Sequence, residues 1–147
     1  MKNKAIMIIA ILFVFAHCKP MEQAGSRSLK TIPADLIGDF KDDYDIRYSV
    51  SEKLWVQHPN AVYHLLSYDS AGKFFIAKND SKNPSDANLY SRIDIMRFSN
   101  MEPWRWGFCL TAYNAKTVEE AIATAAADRA NPRKGCGGYP FSRMKRD

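Results

Sequence analysis

Residues 61–78 read AVYHLLSYDSAGKFFIAK. Two runs, 61–67 and 73–78, are aliphatic, β-branched and aromatic, and Asp69-Ser70-Ala71-Gly72 lies between them. Asp and Ser close turns with their own side-chain oxygens, and Gly takes positive φ without steric penalty. Two such runs around a short polar turn predict an antiparallel hairpin, the third and fourth strands of the chain.

Upstream, Tyr44, Ile46 and Tyr48 alternate with Asp45, Arg47 and Ser49. A period of two predicts a strand with one buried face. Ser51-Glu52 is turn-like, residues 53–57 with Trp55 form a second short strand, and His58-Pro59-Asn60 punctuates. Before these, Pro33 starts a single helical turn through residues 34–37, and residues 39–43 read as a polar approach to the domain. Downstream, residues 79–88 form a polar loop, 89–98 a fifth strand and 104–112 a sixth. Alternation in the sixth strand puts Trp104, Trp106 and Phe108 on one face.

The period then changes. Thr117 caps a helix, with Glu120 at the capping-box spacing. Val118, Ala121, Ile122, Ala125 and Ala126 form its apolar stripe, Arg129 falls in its last turn, and Asn131-Pro132 ends it. The expected fold is α+β: a strongly curved antiparallel meander of about six strands, a small barrel-like sheet, with one C-terminal helix packed on it across one opening.

The start of the chain reads differently. Lys2 and Lys4 precede residues 5–16, AIMIIAILFVFA, which have no polar side chain. This matches a signal-peptide core and falls short of the roughly 20 residues needed to span a bilayer as a helix. The domain plan is therefore a signal peptide over 1–17, a flexible tether over 18–30 and a single β-rich domain over 31–147. Two processing routes fit. In one, Cys18 is lipidated and becomes the first residue of the mature chain; Ala16 suits a lipobox, whereas Phe15 and His17 depart from it. In the other, cleavage after Ala16 releases a soluble secreted protein. The chain has three cysteines, Cys18, Cys109 and Cys136. Lipid on Cys18 leaves two that can pair, whereas soluble secretion leaves an odd thiol in an oxidising compartment.

A Cys109–Cys136 bond would clip the end of the helix region to the last strand. A loop of that length contributes about 3–4 kcal/mol in the chain-entropy model. A metal reading lacks ligands, because only His58 and His64 remain beside the two cysteines and no zinc spacing is present. No Cys-x-x-Cys supports a redox pair. No cofactor or metal is expected. Removing residues 1–17 takes away Lys2 and Lys4 and lowers the net charge from +5 to +3, too mild to imply nucleic acid. Residues 143–146 read as a solvated basic tail.

Several segments together resemble a known type of domain. They are Gly38-Asp39-Phe40 with Tyr44-Asp45-Ile46, then Trp55-Val56-Gln57, Phe75-Ile76-Ala77-Lys78-Asn79-Asp80 and Tyr90-Ser91-Arg92-Ile93-Asp94. Trp106-Gly107-Phe108-Cys109, Ala112-Tyr113-Asn114-Ala115-Lys116-Thr117 and the closing Gly135-Cys136-Gly137-Gly138-Tyr139-Pro140-Phe141 complete them. Over residues 37–143 the chain resembles an uncharacterised family of small bacterial lipoprotein or exported domains, of the kind found in Leptospira-type spirochaetes and in myxobacteria. The resemblance implies that the two cysteines recur together, as a disulfide would require. It carries no activity, and Lys78 stands where the family often has Gln, so an amide role there does not transfer.

For chemistry, the chain has no Gly-x-Ser-x-Gly and no His-Glu-x-x-His. His64, in an apolar strand, reads as a partly buried structural residue. Arg92 and Asp94 share a strand face and, with Asp80, suggest a salt-bridged cluster or a small polar ligand site. Trp104, Trp106, Tyr113 and Tyr139 are the other candidate ligand-binding residues, for stacking on a glycan or holding an apolar group, with core packing as the alternative. The leading expectation is a non-enzymatic cell-envelope lipoprotein domain. It would be held on a bacterial inner or outer membrane by the lipid on Cys18 and bind an envelope or host protein or a glycan. The alternatives are a small envelope enzyme, or an inhibitor presenting residues 131–139 to a protease.

Overall fold

The computed structural model describes residues 31–147; the expected signal peptide, the expected lipid site at Cys18 and the expected tether lie outside the described residues. After a 3-10 turn at Ala34–Leu36 come β1 (Gly38–Asp42), β2 (Arg47–Val50), β3 (Leu54–Gln57), β4 (Ala61–Asp69), β5 (Phe74–Asn79), β6 (Tyr90–Arg97) and β7 (Trp106–Ala115). The helix α1 (Val118–Ala123) and β8 (Ser142–Arg146) follow. The strands pair antiparallel in chain order and β8 returns to β1, which closes a barrel. The hairpin at residues 61–78 is present, with Asp69 Oδ1 accepting from the amides of Ala71 and Gly72.

The curved meander, the single helix and the disulfide agree with the sequence expectation, but the barrel has eight strands rather than about six. The two missing strands are its closing pair. β1 was hidden because only Phe40 is apolar among its inward residues; its other inward residue, Asp42, is buried. Asp42 Oδ1 accepts from the amides of Tyr44 and Ile46, and Oδ2 accepts from the Tyr48 hydroxyl at 3.1 Å. That carboxylate makes residues 43–46 a turn, with Asp45 at φ 64, so the strand expected from Tyr44 begins only at Arg47. Burial, and then the Asp42 charge, push the Tyr48 hydroxyl well above its ordinary pKa. β8 was hidden by its charges. Its single apolar side chain, Met144, is fully buried inside the barrel, while Arg143 and Lys145 point outward.

The interior is filled with rings. Trp55 sits at the centre, with ring centroids 5.0 Å from Phe108, 5.9 Å from Trp106 and 6.1 Å from Tyr48 and Phe75. All are in edge arrangements that suit the aromatic quadrupole. The helix does not cover an opening. Leu36 and Ile32 join the core and close the end where β1 begins, held by Arg146 donating to the Ile37 carbonyl and by the Arg97–Asp35 ion pair. Helix α1 instead packs Ala121, Val118 and Ile122 on Phe74 and Ile76, on the outer face of the barrel. The outer faces of β1, β2 and β8 carry Asp39, Lys41, Arg47, Ser49, Arg143 and Lys145. An apolar interior under a charged exterior is the opposite of a transmembrane barrel. No helix among the described residues is long and apolar enough to cross a membrane.

Helix α1 is also shorter than its pattern predicts. It follows its Thr117 cap, whose hydroxyl accepts from the Glu120 amide, but it stops at Ala123. Thr124 turns to ψ 136, and Arg92 takes the carbonyls of both Ile122 and Thr124. Arg129 is therefore in coil and not in a last helical turn. Replacing the central ring, Trp55→Ala, is expected to cost about 3–5 kcal/mol. Tyr44→Ala, at 64% exposure, should stay within about 0.5 kcal/mol. Urea unfolding of the two variants measures both.

Candidate functional site

A groove of about 630 Å³ lies outside the core, beside β7. One wall is β7, through Cys109, Leu110, Thr111 and Tyr113; the other is the chain after α1, residues 124–127. Gly135, Cys136, Gly137 and Tyr139 close one side. The coil is held in place by the Asp128 amide donating to the Gly135 carbonyl and by the Cys109–Cys136 disulfide, with a Cα–Cα distance of 5.5 Å. Residues 136–139 then form a miniature hairpin, with Cys136 and Tyr139 exchanging two backbone bonds. Gly137 (φ 58) and Gly138 (φ 94) give its turn the type I′ form, which needs positive φ at both central positions. The hairpin leaves Tyr139 75% exposed, and Tyr113 is 50% exposed.

Behind the groove lies the cluster expected of Arg92 and Asp94. Asp94 is fully buried and Arg92 is 6% exposed. Arg92 Nε donates to Asp94 Oδ2 at 3.0 Å and Nη2 to Oδ1 at 3.1 Å. Arg129 Nη2 donates to Oδ1 at 2.9 Å, and the Thr111 hydroxyl to Oδ2 at 2.6 Å. Both arginines make further hydrogen bonds to backbone carbonyls. Arg92 Nη1 holds the end of α1, and Arg129 reaches the carbonyls of Gly72, Lys73 and Ile95. The Arg92 guanidinium also stacks 3.9 Å from the centroid of Phe74. The one carboxylate is shared by both guanidinium groups. The expected third member, Asp80, is absent from the cluster and pairs with His64 at 2.8 Å. His64 is exposed on β4, not partly buried.

The candidate ligand residues thus separate. Tyr113 and Tyr139 share the groove, with Arg92 and Asp94 supporting its floor through Thr111. Trp104 and Trp106 do not share a face, because β7 begins only at Trp106. Trp106 is 2% exposed inside the barrel. Trp104 lies outside, with the Arg143 guanidinium 5.2 Å and the Lys145 ammonium 5.1 Å from its ring centroid. The groove wall at residues 124–127 was missed, because an alanine run after a capped helix reads as more helix. The residue that ends the helix, Arg92, is far away in sequence.

A second polar cluster joins Asp39, Ser49 and His58. The Ser49 hydroxyl donates to Asp39 Oδ1 at 2.7 Å, and His58 Nε2 lies 2.9 Å from Ser49 Oγ. With its proton committed to Asp39, Ser49 accepts from His58. That is the reverse of the order in which a histidine base activates a serine. No group of three or more His, Cys, Asp or Glu side chains that could hold a metal is present among the described residues. No protein-family model matches the chain, and neither curated proteins nor solved structures yield a match.

Two outcomes follow from these geometries. Asp94→Leu leaves Arg92 and Arg129 without their carboxylate and is expected to cost about 3–5 kcal/mol in urea unfolding. The Asp80 carboxyl is held below its ordinary 3.8, first by the His64 hydrogen bond and then by the Lys82 amide. A carboxyl whose folded pKa is depressed stabilises the fold above its unfolded pKa, and loses that contribution as pH falls through the folded one. The stability gap between wild type and Asp80→Asn should therefore be present at neutral pH and vanish in acid below that value. Thermal melts across pH measure it, and a gap that persists in acid would contradict the assignment.

Proposed function

We propose that this chain is a non-enzymatic cell-envelope lipoprotein whose barrel binds a partner through the groove between β7 and residues 124–139. Residues 1–17 direct export, Cys18 receives lipid, and residues 18–30 tether the barrel to the membrane. Lipid on Cys18 would hold the barrel at a membrane surface without a spanning helix. The observation that carries the reading is the Cys109–Cys136 disulfide, compatible with an exported protein. It uses Cys109 and Cys136, and Cys18, the third cysteine of the sequence, is the one proposed for modification.

The binding reading draws on the two exposed tyrosines at a braced groove, since aromatic rings with a polar tip are favoured at contact surfaces. The non-enzymatic reading draws on the chemistry of the polar clusters. The Asp94 carboxylate is committed to Arg92, Arg129 and Thr111, and the Ser49 proton is directed to Asp39 and not to His58. The resemblance to small bacterial lipoprotein domains points the same way. Cells fed radiolabelled palmitate should incorporate label into the full-length chain and lose it on Cys18→Ala. Equal labelling of both forms, or an unlabelled wild type exported and cleaved after Ala16, would overturn the anchor.

A further inference from the structure

β8 pairs with β7 over residues 106–108 and its ladder stops there. The stop has a cause in the sequence. Pro140 has no N–H to give, and the Phe141 amide donates to the Pro132 carbonyl. Residues 109–115 of β7 are thus paired with β6 on one side and, among the described residues, with no strand on the other. Antiparallel alternation tells which groups are left over. The Ile95 amide donates to the Lys73 carbonyl, so Ile93 and Ile95 bond away from β7 while Asp94 bonds toward it. Its partner Cys109 therefore faces β6, and Leu110, like Phe108, turns its N–H and C=O the other way. Phe108 meets Ser142 there, whereas Leu110 meets the groove.

The opposite wall has the same character. The N–H and C=O groups of residues 125–127 have no hydrogen-bond partner among the described residues. The lining includes no charged side chain, so nothing in it would select a charged ligand. A row of unpaired main-chain donors and acceptors is a template for another main chain. We propose that this seam binds an extended, uncharged peptide segment of a partner protein, added as a strand on β7 at Leu110 and gripped by Tyr113 and Tyr139.

This deepens the reading of the chain as a binding domain and is independent of the lipid. Failure of palmitate labelling would leave the seam standing, and failure of the peptide experiment would leave the anchor standing. The probe is a phage-displayed library of random heptapeptides selected on the full-length chain in detergent micelles, with the most enriched peptide then synthesised. Backbone N-methylation at alternate positions should weaken binding about tenfold or more, and at the intervening positions far less. Tyr113→Ala and Tyr139→Ala should each weaken it about tenfold, with Tyr44→Ala unchanged. Hydrogen exchange of the Leu110 amide, fast in the free chain, should slow at least about tenfold in the complex. Enrichment of no peptide, equal loss at every N-methylated position, or unchanged exchange at Leu110 would overturn the proposal.

Discussion

The carboxylate of Asp94 is the constraint on which the surface of this barrel depends. It is fully removed from water, and such a charge is tolerated only with well-placed partners. Two arginines and a threonine supply them, and each connects to another part of the fold. Arg92 leads to the end of α1, Arg129 to the turn between β4 and β5, and Thr111 to β7. The groove exists because this one buried charge fixes where the helix stops and where the following coil runs. The disulfide then secures the far end of that coil to β7.

Different physics decided how much of this was legible in the sequence. The hairpin at residues 61–78, the 3-10 turn after Pro33, the capped start of α1 and the cysteine pair are local or compositional, and they read directly. The closing strands did not. A strand such as β8 needs only one buried side chain, Met144, when its neighbours supply the rest of the core, and one apolar residue among charges gives no period. The end of α1 was also illegible, because a tertiary contact from Arg92 overrides the helix preference of an alanine run.

The candidate site shows the same division. That Arg92 and Asp94 act together follows from their spacing of two on a strand, and that Tyr113 and Tyr139 meet follows from the cysteines bringing β7 and the closing segment together. Their roles depend on burial, which spacing does not report. The first pair turned out to be the supporting frame and the second the exposed surface. Trp104 and Trp106, alike in sequence, fall on opposite sides of the barrel wall because β7 begins between them.

The pairing of β1 with β8 joins the two ends of the described chain. In any synthesis that runs from the N-terminus, β1 is made first and its final neighbour last. Throughout that interval β1 offers one bare ladder to its surroundings, and the wall of the cylinder remains a sheet with a gap. The wall locks only when the last five-residue strand arrives.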